Sequence, residues 1–139
     1  MPTREEKKKI SSKRWRDEHK IERAIYDKKF RDEDPLRYWC ISSLTVHKRK
    51  GCDINITWQE LKEIVKRAKF CSYCEEELDW NRKGTVYSKS PTIDRIYNER
   101  KIDQESIRIV CLRCNLIKGN EIGTKLKARL KKLIENVPE

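Results

Sequence analysis

Apolar residues are thin along the first quarter of the chain. Between residues 4 and 33 there is no Pro or Gly, and Ile10, Trp15, Ile21, Ile25 and Phe30 form a sparse stripe. Thr3 followed by Glu6 has capping-box spacing. This predicts one long, charged, partly exposed helix, or an arm that orders against a partner. The pattern then changes. Asp34-Pro35 is a helix start, with the acid as cap and Pro at the first helical position. Leu36, Trp39, Cys40, Ser43, Leu44 and His47 fall on one face of the helix that follows, and Gly51 ends it. Thr57 and Glu60 repeat the capping box and open a helix with Trp58, Leu61, Ile64, Val65 and Ala68 at core spacing. Trp39, Trp58 and Trp80 read as core residues.

From Phe70 onward strand and turn patterns take over. Residues 71–74 read as a zinc knuckle and 81–84 as a turn, while 91–97 and 106–110 are β-like with the polar stretch 98–105 between them. A short helix is expected from Cys114, broken by Gly119 and Gly123. A last helix over about 125–136 has Leu126, Leu130, Leu133 and Ile134 on one face. The fold class predicted is α+β, with a small cysteine-stapled unit between N-terminal and C-terminal helices. Four segments follow: a charged arm (1–34), a two-helix segment packing on the stapled unit (35–70), the unit itself (71–124) and a terminal helix (125–139).

Composition explains the need for a staple. Only 36% of the 139 residues are hydrophobic and 41% are charged, so the core must be small, and a structural metal would compensate. Two Cys-x-x-Cys pairs, Cys71/Cys74 and Cys111/Cys114, bracket a 36-residue segment. Four thiolates suit one tetrahedral zinc. The opening residues Met1–Lys9 contain no apolar stretch of the kind a secretory signal needs, so an intracellular, reducing location and metal rather than disulfides are expected. Cys40 and Cys52 lack partners at ligand spacing and read as a buried apolar group and a loop thiol. No apolar run is long enough to span a membrane.

The net charge is +11. Lys and Arg outnumber Asp and Glu by 13 to 9 over residues 1–39, 7 to 3 over 40–70 and 6 to 3 over 115–139, but stand at 8 to 8 over 71–114. The excess therefore flanks the cysteine unit, as expected if helices grip a polyanion while the unit does something else. The run Lys48-Arg49-Lys50 is one candidate contact with nucleic acid. A basic surface that only confers solubility is the alternative.

Taken together, Cys71-x-x-Cys74, Ile93-Asp94-Arg95-Ile96 and Ile109-Val110-Cys111-x-x-Cys114-Asn115-x-x-Lys118-Gly119 resemble the HNH (ββα-metal, or His-Me finger) endonucleases. The resemblance is strongest to the zinc-stapled subgroup common in phages and mobile elements, and it covers about residues 57–124. It implies a ββα-metal finger that hydrolyses DNA phosphodiester bonds inside a bacterial host, in the cytoplasm or nucleoid. It also implies that Asp94 and Asn115 hold a catalytic divalent ion. Both supply oxygen, which suits magnesium or manganese. Two positions depart from the family pattern. Arg95 stands where the family has its catalytic His, and Ser106 where an orienting Asn is expected. Arginine stays protonated, so Arg95 is expected to hold phosphate rather than take a proton. Tyr97, on the same strand face as Arg95, is a candidate base, as are hydroxide on the metal, His47 and His19. Lys118 is expected to contact phosphate. The competing readings are a catalytically inactive, zinc-stabilised nucleic-acid-binding module and a zinc-stabilised protein adaptor.

Overall fold

The computed structural model describes residues 1–81, 86–121 and 123–139. Thr3 caps α1 (Arg4–Glu18): its hydroxyl accepts from the Glu6 amide at 3.2 Å while the Glu6 carboxylate accepts from the Thr3 amide at 2.6 Å. The arm is not one helix. It is interrupted at His19, which separates α1 from α2 (Lys20–Glu33). There the imidazole Nδ1 lies 2.8 Å from the Trp15 carbonyl and the ring stacks on Trp15, so a side chain competes for a helical acceptor. Neither α1 nor α2 buries a residue.

Asp34 caps α3 (Pro35–Arg49) by accepting from the Arg37 amide. Its other carboxylate oxygen accepts from Lys62 Nζ at 2.6 Å, tying α3 to α4 (Trp58–Arg67). The ion pair lowers the Asp34 pKa, first through the Lys62 hydrogen bond and then through the capping amide. The Thr57–Glu60 capping box forms as the sequence predicts. α3 contributes Trp39 and Cys40 to the core, and α4 contributes Leu61 and Val65. Trp80 meets Trp39 edge to face, with ring centroids 5.1 Å apart, and donates from Nε1 to the Ala68 carbonyl at 2.7 Å. Trp58 is partly buried against the same core, and so is Trp80.

Between α3 and α4 lies β1 (Asp53–Ile54), entered through Gly51 at φ +84°. β1 pairs in parallel with β3 (Lys101–Ile102). The stretch 98–105 therefore holds a short strand that polarity alone conceals. β2 (Pro91–Arg95) pairs antiparallel with β4 (Ile107–Cys111), with Asp94 opposite Arg108. β2 ends two residues earlier than its β-like composition predicts, because the chain turns at Ile96 and Tyr97. β4 begins and ends one residue later than predicted: Ser106 stays in the loop, where its amide donates to the Asp103 carboxylate.

α5 (Leu112–Lys118) starts directly from β4, earlier than Cys114, since Cys111 is its cap and accepts from the Cys114 amide through sulfur. It stops at Gly119, at φ +57°, a conformation glycine adopts without strain. Gly123 opens α6 (Gly123–Asn136) rather than interrupting a helix. Arg129 holds α6 to the end of α5 by donating to the Ile117 carbonyl and pairing with Glu121. Of the turn predicted at 81–84, only Asn81 falls within the described residues, and its amide donates to the Asp79 carboxylate. One apolar core spans α3, α4 and the β2–β4 pair, from Trp39 and Leu61 to Ile93, Ile109 and Val110. Among the described residues no helix is long and apolar enough to cross a membrane.

Candidate metal centre and the Asp94 cluster

β2, β4 and α5 run strand, strand, helix, and α5 packs against both strands. The turn at 71–74 docks on the end of β4: the Ser72 amide and hydroxyl both donate to the Ile109 carbonyl. Cys71 and Cys74 thereby meet Cys111 and Cys114. The four sulfurs lie within 4.8 Å of one another, and Cys74 and Cys111 are 3.8 Å apart. With Zn–S bonds of about 2.3 Å, tetrahedral ligands stand about 3.8 Å from each other. These four cysteines can hold a metal ion such as zinc.

Electrostatics at the sulfurs agree. Burial pushes the Cys71 thiol up. Backbone N–H groups, among them those of Tyr73 at 3.5 Å and Cys111 at 3.2 Å, outweigh it and bring the thiol down to about 7. Burial, and then the neighbouring sulfurs, push Cys114 well above the usual thiol range. A dication would be needed to hold several thiolates together. Cys40 and Cys52 stand apart from this group and are both buried; Cys52 is a loop thiol, as expected, and its loop packs it into the core. Burial raises the Cys40 thiol to about 11.

The second cluster lies on the face of β2 that α5 covers. Side chains two apart on a strand share a face, so Thr92 and Asp94 point together. α5 answers one turn apart: Asn115 Nδ2 donates to Thr92 Oγ1 at 3.0 Å, and Lys118 Nζ donates to Asp94 Oδ1 at 2.9 Å. Lys118 also donates to the Arg95 carbonyl at 2.9 Å. Tyr73, from the cysteine turn, donates its hydroxyl to Asp94 Oδ2 at 2.5 Å. Burial and then this carboxylate push the Tyr73 phenol far above its ordinary value, so it stays a donor. The Asp94 and Lys118 side chains are 4% and 7% exposed. Both Asp94 oxygens are therefore engaged, and the pair is sealed from water.

Asp94 and Asn115 thus share one wall without touching through any hydrogen bond described. Lys118 is no free phosphate contact, because its ammonium is spent inside the fold. Arg95 leaves the opposite face of β2, where it donates to the Glu99 carbonyl at 3.2 Å and lies 3.7 Å from Cys52 Sγ. Tyr97 does not share a strand face with it, since β2 has ended, and the ring is 62% exposed. His47 is half-buried, with Nδ1 held 2.8 Å from the Ser43 carbonyl. Burial lowers its pKa, and the charges of Lys50 and Arg95 lower it further. Lys48, Arg49 and Lys50 end α3 on the surface, with no carboxylate partner among the described residues. Sequence reasoning missed Tyr73 as a member of the site. The available signal was a hydroxyl-bearing aromatic inside the knuckle. No family model, curated protein or solved structure matches this chain.

Proposed function

We propose that the chain is a metal-dependent endonuclease of the HNH type acting on DNA, in which β2, β4 and α5 serve as the ββα-metal finger and zinc on the four cysteines as its staple. The observation that carries this reading is a carboxylate buried in an ion pair inside a strand–strand–helix unit and hydrogen-bonded by Tyr73 from the turn that carries two of the four clustered thiols. A chain with so small a core gains nothing in packing from a sealed Asp, and such groups concentrate at functional sites. Asp94 and Asn115 offer the hard oxygens that magnesium or manganese prefers. Such an ion would stabilise negative charge on the phosphate and on the departing oxygen.

The chain's own residues do the rest. Asp94 and Arg95 leave opposite faces of β2, so a phosphate served by both lies at the end of the strand. Arg95 donates to a phosphoryl oxygen there. Water adds to phosphorus, the P–O3′ bond breaks, and the water's proton passes to a base. His47 is better founded as that base than Tyr97. Its Nδ1 faces a carbonyl, its Nε2 keeps a lone pair, and burial keeps it neutral beside Arg95. The basic end of α3 and the exposed Lys125, Lys127, Lys131 and Lys132 along α6 offer phosphate contacts away from the chemistry.

One observation favours a second reading, a zinc-stabilised nucleic-acid-binding module without catalysis. Lys118 already neutralises Asp94. Plasmid cleavage by zinc-loaded protein in magnesium, manganese or EDTA tests the choice. Nicking or linearisation that needs the ion and vanishes in Asp94→Ala is expected. Equal inertness of wild type and variant on supercoiled, linear and single-stranded DNA would leave the binding module.

A further inference from the structure

We infer that Lys118 is a resident cation: it fills the position of the divalent ion at Asp94 and must swing out before that ion can bind. This rests on the proposed role of Asp94 as a divalent-ion ligand, and it adds the step that controls access to it.

The geometry leaves little room for both cations. Tyr73 occupies Oδ2 at 2.5 Å and the Lys118 ammonium occupies Oδ1 at 2.9 Å. With the carboxylate 4% exposed, no side is open to a hydrated ion. Magnesium bonds oxygen at about 2.0–2.1 Å and keeps several waters, so it would lie against Nζ, and the like charges would repel in a poorly solvated setting. The ammonium is also anchored by the Arg95 carbonyl, which fixes it at the end of β2 rather than leaving it to wander. Lys118 is the last residue of α5, next to Gly119 at φ +57°, so the side chain can leave without unwinding a helix interior. Removing Lys118 would leave Asp94 with its charge uncompensated and one oxygen free. That is a better site for a dication than the wild type has.

The test measures manganese binding to zinc-loaded protein by isothermal titration calorimetry, with melting temperature read in EDTA and in manganese. Wild type, Lys118→Met and Lys118→Met/Asp94→Asn are compared. The expected result is at least about tenfold tighter manganese binding by Lys118→Met than by wild type. Its melting temperature should fall in EDTA and recover in manganese, and both effects should vanish in the double variant. Equal or weaker binding by Lys118→Met would overturn the displacement step while leaving Asp94 as a ligand. No Asp94-dependent binding in either protein would overturn the step together with the reading it rests on. Should Lys118→Met fail to fold, the wild type still decides. A buried ammonium gives a slowly exchanging side-chain nitrogen resonance, and that signal must disappear as magnesium saturates the site. Its persistence at saturation refutes the inference.

Discussion

The four-cysteine cluster and the Asp94 cluster both draw on α5 and the turn at 71–74, yet they are in opposite states of satisfaction. Around the cysteines, several sulfurs crowd together, and backbone N–H groups steady one thiolate. The Arg113 guanidinium reaches Cys74, but one cation cannot offset four thiolates. Around Asp94, a single carboxylate meets an ammonium and a phenol, and nothing is left over. A donor set that the chain does not satisfy itself needs an ion in order to fold. A donor set that the chain has satisfied can fold without one and admit an ion later. Under the proposed function, a structural and a catalytic metal position would thus be told apart by who neutralises the ligands.

The strongest test of that contrast is to strip the cysteine site. Chelation at neutral pH, or Cys111→Ser, should unfold the segment around β2, β4 and α5, because structural zinc binding contributes about 10–16 kcal/mol in small metal-folded units. Loss of far-ultraviolet circular dichroism together with loss of amide protection in β4 would register it. A stripped protein that kept both would end the distinction.

Next in size is Asp94→Ala, which strands the Lys118 ammonium inside the fold. Breaking one side of a buried pair costs about 3–5 kcal/mol, whereas replacing both partners with apolar groups is often neutral. Asp94→Ala/Lys118→Met should therefore melt above Asp94→Ala alone in calorimetry. If the double variant melts lower, the pair is not the closed unit inferred from its hydrogen bonds. The smallest effect is expected of Tyr73→Phe. It removes a hydrogen bond to a charged acceptor, in the range of about 1.5–3 kcal/mol, and the partial exposure of Tyr73 puts it at the low end. Denaturant unfolding at constant zinc would resolve it.

The two sites also differ in how far the sequence reveals them. Cys-x-x-Cys spacing is a local property, so the cysteine cluster could be read before any fold was known. Local signals likewise announced the Thr3 and Thr57 capping boxes and the Asp34-Pro35 start of α3. Asp94 stood out by its place between isoleucines. Its partners did not, because Tyr73 and Lys118 come from 21 and 24 residues away and are chosen by how α5 and the cysteine turn dock. Lys118 looked like a surface lysine because nothing in its neighbourhood of sequence says which face of a seven-residue helix is covered. The two-residue pairing of β1 with β3 was invisible for a related reason, since neither strand is long enough to alternate.

The cysteine staple has a mechanical consequence. If zinc joins Cys71 and Cys74 to Cys111 and Cys114, tension applied at the two ends of the chain passes through the metal and bypasses the 36 residues between Cys74 and Cys111. Those residues carry β2, Asp94 and Arg95. Under load the helices on either side would extend first, while a hidden length of about 130 Å, at roughly 3.6 Å per residue, would be released only in one step when a metal–sulfur bond gives way. The staple would act as a force shunt, keeping the segment between the two cysteine pairs slack while the flanking helices are pulled.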